Sequence, residues 1–286
     1  PLMAAPVAIP PSLTVSVINY RTPELTLNCV ASVLNDFEVS DVRRGHVVVF
    51  ENGSGDGSAE ALKAWCDSNP DAPVTLVRSG PNMGFSGGHT RAMATREADY
   101  YLVLNSDALL RPGFCKALLS AAESNTQAGL IAPQLEDEDG TPQSSFFRAP
   151  TPKREVIRAA HTGVVTTLLG RWDLPLEASQ AGHAVWASFA CILLRGSMVQ
   201  DIGPLDAGYF LYFEDTEFGL RAHRRGWQLL HVPAARAVHF RGGSSSVKAR
   251  TRYGARLPRY VYASRTRFFR QAHGPLGPLL ANLGWH

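Results

Sequence analysis

Residues 47–62, VVVFENGSGDGSAEAL, carry the pattern that decides the fold. An apolar run ends in an acid and an amide, a glycine-rich stretch follows, and an Ala/Leu-rich segment comes next. This order is typical of a strand, a tight turn and a helix, and glycines in such a turn let backbone N–H groups approach a phosphate. An ordinary tight turn is the alternative, since glycine-rich stretches commonly form one without binding anything.

A dinucleotide-binding turn does not fit this stretch well. It requires G-x-G-x-x-G after the first strand, whereas this turn follows the second strand. Ser58 also stands where the third glycine is required, after Gly53 and Gly55. The pattern therefore disfavours a nicotinamide-dependent oxidoreductase, which remains the less favoured alternative.

Composition indicates a soluble globular protein. The chain has 286 residues, 45% of them hydrophobic and 19% charged, which suits one large α/β domain or one domain with an appendage. The net charge is only +3, so the overall balance does not indicate a nucleic-acid partner. The cysteines are far apart and form no C-x-x-C pair, so we expect reduced thiols in a cytoplasmic protein. They are Cys29, Cys66, Cys115 and Cys191. No apolar run approaches the length of a transmembrane helix, and the first residues lack the features of a secretory signal.

Strands alternate with helices along the first part of the chain. Apolar, β-branched runs predict strands at 13–19, 46–51, 73–79 and 100–110. Such alternation predicts a parallel sheet covered by helices on both faces, with ligands bound at the carboxyl ends of the strands. Polar residues at or just beyond these ends are Asn19, Glu51, Asn82 and Asp107.

Six stretches, in order, resemble the family 2 inverting glycosyltransferases, above all the bacterial rhamnosyltransferase and galactofuranosyltransferase branch. They lie between residues 13 and 245 and read VSVINYRTPELTLNCVASVL, VVVFENGSGDGS, NMGFSGGHTRAM, YLVLNSDALLRPG, FLYFEDTEFGLRAHRRGW and VHFRGGSS. The resemblance implies a nucleotide-diphospho-sugar transferase (GT-A) fold, with a mostly parallel central sheet and helices on both faces. It also implies transfer of one sugar from an activated donor to an acceptor hydroxyl.

The resemblance assigns several residues to the nucleotide-sugar donor. Glu51 stands where the family usually has an Asp that binds the base or ribose. A glycine-containing turn would place its backbone near the ribose or diphosphate. The residues assigned to the donor are Asn19, Tyr20, Glu51, Asn82, Gly84, Asn105, Ser106 and Asp107.

The stretch LNSD (104–107) resembles the metal motif often written D-x-D. Asp107 would bind Mg²⁺ or Mn²⁺ beside the diphosphate, where a divalent cation stabilises the charge of the leaving group. Because Asn105 takes the place of the first carboxylate, the donor phosphates would have to complete the shell. His239 would be a further ligand by the same resemblance, with a purely structural histidine as the alternative.

Asp215 aligns with the family's general base, which removes the proton of the acceptor hydroxyl. An Asp at a helix N-terminus is kept ionised by the helix dipole, although an N-cap is the alternative role. Three further residues are candidates for contact with the acceptor or for support of the site: Glu214, Arg221 and Arg265. Glu217 and Arg221 have the spacing of a surface ion pair.

We expect a glycosyltransferase domain over 1–245 and a basic helical segment over 246–286. Residues 1–12 are expected to be flexible, and 135–183 to form a variable insertion that carries acceptor specificity. Residues 247–273 contain eight Lys and Arg residues, no acid and several aromatics. Either they bind an anionic membrane at the cytoplasmic face or the helix packs its aromatics on the domain, and nucleic acid is disfavoured.

The sequence thus predicts an inverting, metal-dependent transferase for cell-surface polysaccharide biosynthesis in a bacterium. By the same family resemblance, its donor would be dTDP-rhamnose and its acceptor a glycan or a lipid-linked glycan. The alternative is a nucleotide-sugar-binding module without transfer activity, because Glu51 and Asn105 both depart from the family's usual acids.

Overall fold

A computed structural model describes residues 9–159, 175–176, 184–240 and 256–283. Its strands are β1 (Leu13–Asn19), β2 (Gly45–Glu51), β3 (Val74–Arg78), β4 (Tyr100–Asn105), β5 (Ala108–Leu110), β6 (Ala128–Glu136), β7 (Phe146–Phe147), β8 (Pro175–Leu176), β9 (Trp186–Ala187), β10 (Cys191–Arg195) and β11 (Gln228–His239). Its helices are α1 (Pro23–Val39), α2 (Ser58–Ser68), α3 (Gly84–Ala94), α4 (Phe114–Ser124), α5 (Pro152–Ala159), α6 (Gly196–Ile202), α7 (Glu214–Arg224), α8 (Arg259–His273) and α9 (Gly277–Asn282).

The main sheet confirms the expected α/β fold. Eight strands lie in the order β3-β2-β1-β4-β10-β6-β11-β5. The first four of these are mutually parallel, and so are β6 and β11, whereas β10 and β5 run antiparallel to their neighbours. The parallel pairing brings the carboxyl ends of β1, β2 and β4 to one edge. A second, antiparallel sheet has the order β8-β7-β9.

Burial on both faces explains the composition of the central strands. Val15 and Val17 of β1 and Leu102 of β4 are fully buried in the largest hydrophobic cluster, together with Val30 and Val33 of α1. On the other face α3 approaches closely, since a Cβ on Gly88 would lie only 2.7 Å from Ile18 Cδ1. The β-branched runs are therefore strand formers covered by helices on both sides.

Two predicted strand boundaries are wrong. The expected strand over 100–110 ends at Asn105, and Ala108 to Leu110 form a separate strand that pairs antiparallel with β11. The chain changes direction at Ser106 and Asp107, because β5 pairs with β11 at the edge of the sheet. The apolar runs WQLLHVP and ARAVHF predict two separate short strands. The structure has one long strand there, β11, with an irregularity between Val232 and Arg236.

The C-terminal helices pack on the domain through aromatic side chains. Phe268 and Phe269 of α8 are fully buried beside Tyr209 and Ala281. Residues 247–255, the first part of the segment predicted to face a membrane, lie outside the described part of the chain. Within the described residues, no helix has both the length and the hydropathy needed to cross a bilayer.

Candidate active site

A cavity of about 350 Å³ opens at the carboxyl ends of β1, β2 and β4. Among the residues predicted to bind the donor, those that line it are Tyr20, Asn82, Gly84, Asn105, Ser106 and Asp107. Its apolar lining includes Ile18, Phe85, Leu104, Phe210 and Leu211. Tyr260 of α8 also lines it, with its ring 5.4 Å from that of Phe210, so the C-terminal segment contributes to the cavity wall. Sequence reasoning did not identify Tyr260, which lies far along the chain from the strand ends.

The glycine-rich turn is closed by its own acid. The Glu51 carboxylate accepts hydrogen bonds from the backbone N–H groups of Gly53, at 3.2 Å, and Ser54, at 2.8 Å. Asn19 donates to the Ser54 hydroxyl and accepts from that of Thr26. Glu51 and Asn19 are therefore placed behind the cavity, where they shape the turn, and neither is among the described residues that line it.

Asn52 is a cavity-lining residue that the sequence analysis missed. Its Oδ1 accepts from the Met83 N–H at 2.8 Å, and its Nδ2 donates to the Gly84 carbonyl at 3.0 Å. Both groups of one amide thus join the loop after β2 to the loop before α3. The available signal was its position directly after Glu51, since successive residues at a strand end point to opposite sides.

Gly84 allows two loops to meet at the cavity wall. Its φ is +71°, and a Cβ at this position would lie 2.2 Å from the Phe210 carbonyl oxygen. The next residue, Phe85, donates its N–H to that same oxygen at 2.6 Å. The close approach connects the start of α3 to the segment that leads into α7.

We expect Gly84→Ala to lower the free energy of unfolding by about 2–5 kcal/mol, because a left-handed backbone cost is added to overpacking. Chemical denaturation measures the loss. Gly55→Ala is the matched control, since Gly55 has φ +65° and a Cβ there would meet no heavy atom within 4 Å. That variant should lose only about 1–2 kcal/mol. Equal losses in the two variants would show that the contact with Phe210 is unimportant.

Asp107 and His239 meet although they are far apart in the chain. Antiparallel pairing sets His239 opposite Ala108, and the Asp107 carbonyl accepts the Phe240 N–H at 3.0 Å. His239 Nε2 then lies 3.5 Å from Asp107 Oδ1 and 3.4 Å from Asn105 Nδ2. The register of β5 against β11 therefore brings Asp107 and His239 together.

Asp107 and His239 together suit a divalent cation whose remaining ligands come from a bound substrate. A carboxylate oxygen and an imidazole nitrogen are both ligands that Mn²⁺ accepts, whereas Mg²⁺ prefers oxygen and water. Among the described residues, no group of three or more His, Cys, Asp or Glu side chains is placed to bind a metal ion. Two protein ligands leave most of an octahedral shell for phosphate oxygens and water.

Asp215 is the second residue of α7, directly after the buried acid Glu214. Its Oδ1 accepts hydrogen bonds from the Thr216 N–H, at 2.7 Å, and the Thr216 hydroxyl, at 3.1 Å. Burial raises the pKa of Asp215 to about 6, although the bonds from Thr216 act in the opposite direction. The helix N-terminus alone was expected to keep this acid strongly ionised, so burial is the larger effect. A carboxyl with such a pKa is still ionised near neutral pH and is well matched to proton abstraction.

Glu214 is a buried carboxyl without a full set of partners. Burial raises its pKa well above the usual value, and the neighbouring charge of Asp215 adds to the increase. Its Oε2 has no hydrogen-bond partner among the described residues. The protonated form of Glu214 is therefore favoured beside an ionised Asp215.

The backbone before these acids is strained. Tyr212 and Phe213 have φ values of +70° and +69°, in a region that bulky residues rarely adopt. Each such residue costs of order 1–3 kcal/mol, and strain of this kind clusters at functional sites. Tyr212 and Phe213 form the tight turn between Leu211, which lines the cavity, and the start of α7 at Glu214.

Two predicted candidates lie away from the cavity. Arg221 forms the expected ion pair with Glu217 at 2.9 Å and also donates to the carbonyls of 202–204. Arg265 is buried against Glu155 of α5 at 2.9 Å and donates to the Ala281 carbonyl. The described contacts of Arg221 join α7 to the turn after α6, and those of Arg265 join α8 to α5 and α9.

Glu214 and Asp215 follow the cavity-lining segment 210–211 in the chain but are not among the described residues that line the cavity. Together, the mostly parallel sheet, the cavity at its carboxyl edge and the Asp107–His239 pair define a glycosyltransferase of the GT-A fold. The chain belongs to the glycosyltransferase like family 2, whose sequence profile matches residues 10–256.

Curated relatives agree with this assignment. The chain is 30% identical over 217 residues to the N-acetylglucosaminyl-diphospho-decaprenol L-rhamnosyltransferase of Mycobacterium tuberculosis, which covers 70% of this chain and 67% of that protein. It is 26% identical over 170 residues to the rhamnosyltransferase WbbL of Escherichia coli, covering 57% and 62% of the two chains. The chain therefore matches about two thirds of the length of these relatives.

Solved structures show the same fold. The mannosyltransferase PcManGT from Pyrobaculum calidifontis, solved with GDP-Man and Mn²⁺, superposes with a TM-score of 0.60 at 15% identity, covering 99% of this chain and 73% of that one. GalNAc-T7, solved with UDP, GalNAc and Mn²⁺, has a TM-score of 0.59 at 13% identity, covering 92% and 52%.

Proposed function

We propose that this protein is an inverting, metal-dependent transferase that moves a sugar from a nucleotide-diphosphate donor to a glycan or lipid-linked acceptor. The observation that carries the proposal is the Asp107–His239 pair, at 3.5 Å, on the rim of a cavity lined by the predicted donor-binding residues. Rhamnose as the sugar and a lipid-linked acceptor rest on the rhamnosyltransferase relatives, one of which is named for a diphospho-decaprenol substrate. The choice of dTDP as the carrier rests on the resemblance of the six sequence stretches to the rhamnosyltransferase branch.

The roles of the side chains follow from their placement. Asp107 and His239 would bind Mn²⁺ or Mg²⁺, which would supply Lewis-acid stabilisation of the diphosphate. Tyr20, Asn52 and Asn82 would bind and orient the nucleotide. Asp215 would take the proton of the acceptor hydroxyl at its carboxylate while that oxygen bonds to the anomeric carbon.

The sugar would be transferred in a single displacement at its anomeric carbon. The new bond forms between the acceptor oxygen and the anomeric carbon, and the bond from that carbon to the phosphate oxygen breaks. The nucleoside diphosphate leaves with the electron pair, and the proton is transferred to Asp215. Attack opposite the leaving group inverts the anomeric centre.

A transfer assay tests the proposed function. With Mn²⁺ and dTDP-rhamnose, a polyprenyl-diphosphate-linked acetylglucosamine should be extended by one sugar, and NMR of the product should show inverted configuration. Nucleotide-sugar binding without release of nucleoside diphosphate, across a panel of donors and acceptors, would instead favour the binding module. Stabilisation by NAD(P) alone would favour the oxidoreductase.

We propose that the chain divides into a transferase domain over 1–245 and a basic C-terminal segment over 246–286. The small sheet β8-β7-β9 has strands in or just after 135–183, the insertion proposed to contact the acceptor. Residues 160–174 and 177–183 of this insertion lie outside the described part of the chain.

We also propose peripheral association with the cytoplasmic face of an anionic membrane through the C-terminal segment. Four exposed leucines follow the spacing of one helix face: Leu276, Leu279, Leu280 and Leu283. The opposite face, with Gly277 and Ala281, is buried against the domain. Exposed Arg259 and Arg270 on α8 add positive charge in the same segment, which suits anionic headgroups.

Liposome co-sedimentation tests this surface. Each leucine contributes about 1.5–3 kcal/mol when fully buried, so Leu279→Gln with Leu280→Gln should weaken binding to anionic liposomes at least about tenfold. Val39→Gln is the control, because Val39 is an exposed apolar residue on α1. High salt should weaken wild-type binding. Unchanged binding of the double variant would contradict the proposal, and dimerisation abolished by it would assign the leucines to a second copy.

A further inference from the structure

His89 is a fully buried polar residue of α3 that also lines the cavity. Its Nδ1 lies 2.7 Å from the Ser16 hydroxyl of β1. Its Nε2 has no hydrogen-bond partner among the described residues. A buried polar atom without a partner costs about 1–3 kcal/mol, so a partner supplied by a ligand is a physically reasonable explanation.

Hydrogen-bond accounting decides which ring nitrogen carries the proton. Ser16 Oγ has Nδ1 as its only hydrogen-bond partner among the described residues. If Nδ1 donates, the buried hydroxyl proton and the Nε2 lone pair both lack partners. If the Ser16 hydroxyl donates to Nδ1, Nε2–H and the Ser16 Oγ lone pairs lack partners. Once a ligand satisfies Nε2, the first arrangement still leaves a buried O–H donor without an acceptor, whereas the second leaves only hydroxyl lone pairs, so Nε2 is the favoured hydrogen-bond donor.

The surroundings indicate what this donor meets. Burial lowers the pKa of His89 to about 3, so the ring is neutral and does not serve as a counter-charge for phosphate. Ile18, Leu104 and Phe85 line the same cavity, and the Phe85 ring centre lies 4.4 Å from that of His89. A neutral ring donor beside these apolar side chains suits a planar heteroaromatic ring that carries an oxygen acceptor. The polar groups of 105–107 suit the diphosphate.

We propose that His89 recognises the nucleobase of the sugar donor, by donating a hydrogen bond from Nε2 to an oxo oxygen of the base. The proposal rests on the proposed function, since it concerns the same donor. It gives base recognition to a residue of α3 rather than to Glu51, which accepts from Gly53 and Ser54 and is not among the described residues that line the cavity. Thymine, uracil and guanine carry such an oxygen.

Two substitutions separate the ring nitrogens. His89→Asn places an amide near the position of Nδ1, so it keeps the bond to Ser16 and removes the cavity donor. His89→Gln reaches the position of Nε2 and keeps a donor there. With dTDP and Mn²⁺, calorimetry should show about tenfold weaker binding for the Asn variant, the loss of about one hydrogen bond. The Gln variant should stay within about threefold of wild type, and thermal unfolding should show that both are folded.

A ligand without the base identifies the contact. Wild-type and Asn variants should bind ribose 5-diphosphate equally, because this probe has no oxo group for His89. In wild-type protein carrying ¹⁵N-histidine, the Nε2 signal of His89 should shift with dTDP and stay constant with ribose 5-diphosphate. This measurement remains valid even if a variant fails to fold.

The outcomes distinguish the role of His89 from the function of the whole site. Tight dTDP binding that is the same in wild-type and Asn variants, with a constant Nε2 signal, would overturn the role of His89 and leave the proposed function intact. Equal weakening for both probes would place His89 at the diphosphate and also overturn base recognition. Absence of binding by dTDP, UDP and GDP to wild-type protein with Mn²⁺ would overturn the proposed function itself.

Discussion

Asp215→Asn is expected to lower kcat by about 10²–10⁴-fold and to leave the Kd of the donor unchanged. The amide cannot accept the proton of the acceptor hydroxyl. Its oxygen can still accept from the Thr216 N–H and hydroxyl, as Oδ1 of Asp215 does, so the local geometry is kept. Single-turnover transfer and equilibrium binding of dTDP measure the two quantities separately.

The pH dependence provides a second readout of the same residue. The base works in its ionised form, and burial raises the pKa of Asp215 to about 6. Wild-type kcat/KM should therefore fall as the pH drops below about 6, rather than near the ordinary Asp value of about 4. Glu217→Gln removes an acid from the same helix outside the cavity and should keep this profile. Near-wild-type turnover in the Asn variant would remove Asp215 from the mechanism.

Chelation of divalent metal is expected to abolish transfer, and Asp107→Ala to lower kcat/KM at least about 10²-fold. A divalent cation provides several kcal/mol of charge stabilisation at the diphosphate, and Asp107 supplies the carboxylate that would bind it. His239→Ala should have a smaller effect, because one ligand among several is lost. Activity at controlled free Mn²⁺ concentrations measures all three.

The two-ligand set also predicts how the metal binds. Calorimetry should detect weak binding of Mn²⁺ to the protein alone and much tighter binding with dTDP present, because phosphate oxygens complete the shell. His46→Gln is a matched histidine control, since His46 lies near the amino end of β2 and bonds Thr75 at 2.8 Å. Full activity of metal-free protein in EDTA would contradict the assignment of both Asp107 and His239.

Much of the fold and the position of the site could be predicted from the sequence. Local patterns determined the strands, because β-branched runs such as VVVF are short, apolar and followed by turn residues. Alternation with helices determined that the sheet is parallel, and a parallel sheet brings its carboxyl ends to one edge. For this reason Asn82 and Asp107, which follow two different strands, could be placed at one cavity without coordinates, whereas Tyr20 was assigned to the donor by the family resemblance.

Side-chain direction, in contrast, was decided by competition for hydrogen bonds in three dimensions. Glu51 lies at the predicted strand end, yet its carboxylate is occupied by two N–H groups of its own turn, while Asn52 lines the cavity. Arg265 stands in the expected basic helix, but its guanidinium pairs with Glu155, 110 residues away. No local pattern reports such distant partners.

The sequence by itself determined the class of fold and the edge of the sheet that carries the site, because these depend on short-range periodicity. The family resemblance, read from the same sequence, named six of the residues that line the cavity. Only the tertiary structure decided that Asn105 and His239, 134 residues apart, come within 3.4 Å, since this depends on the register of β5 against β11. It likewise decided that His89 keeps Nε2 without a protein partner at the cavity among the described residues, because the packing of α3 on β1 pairs Ser16 with the other ring nitrogen.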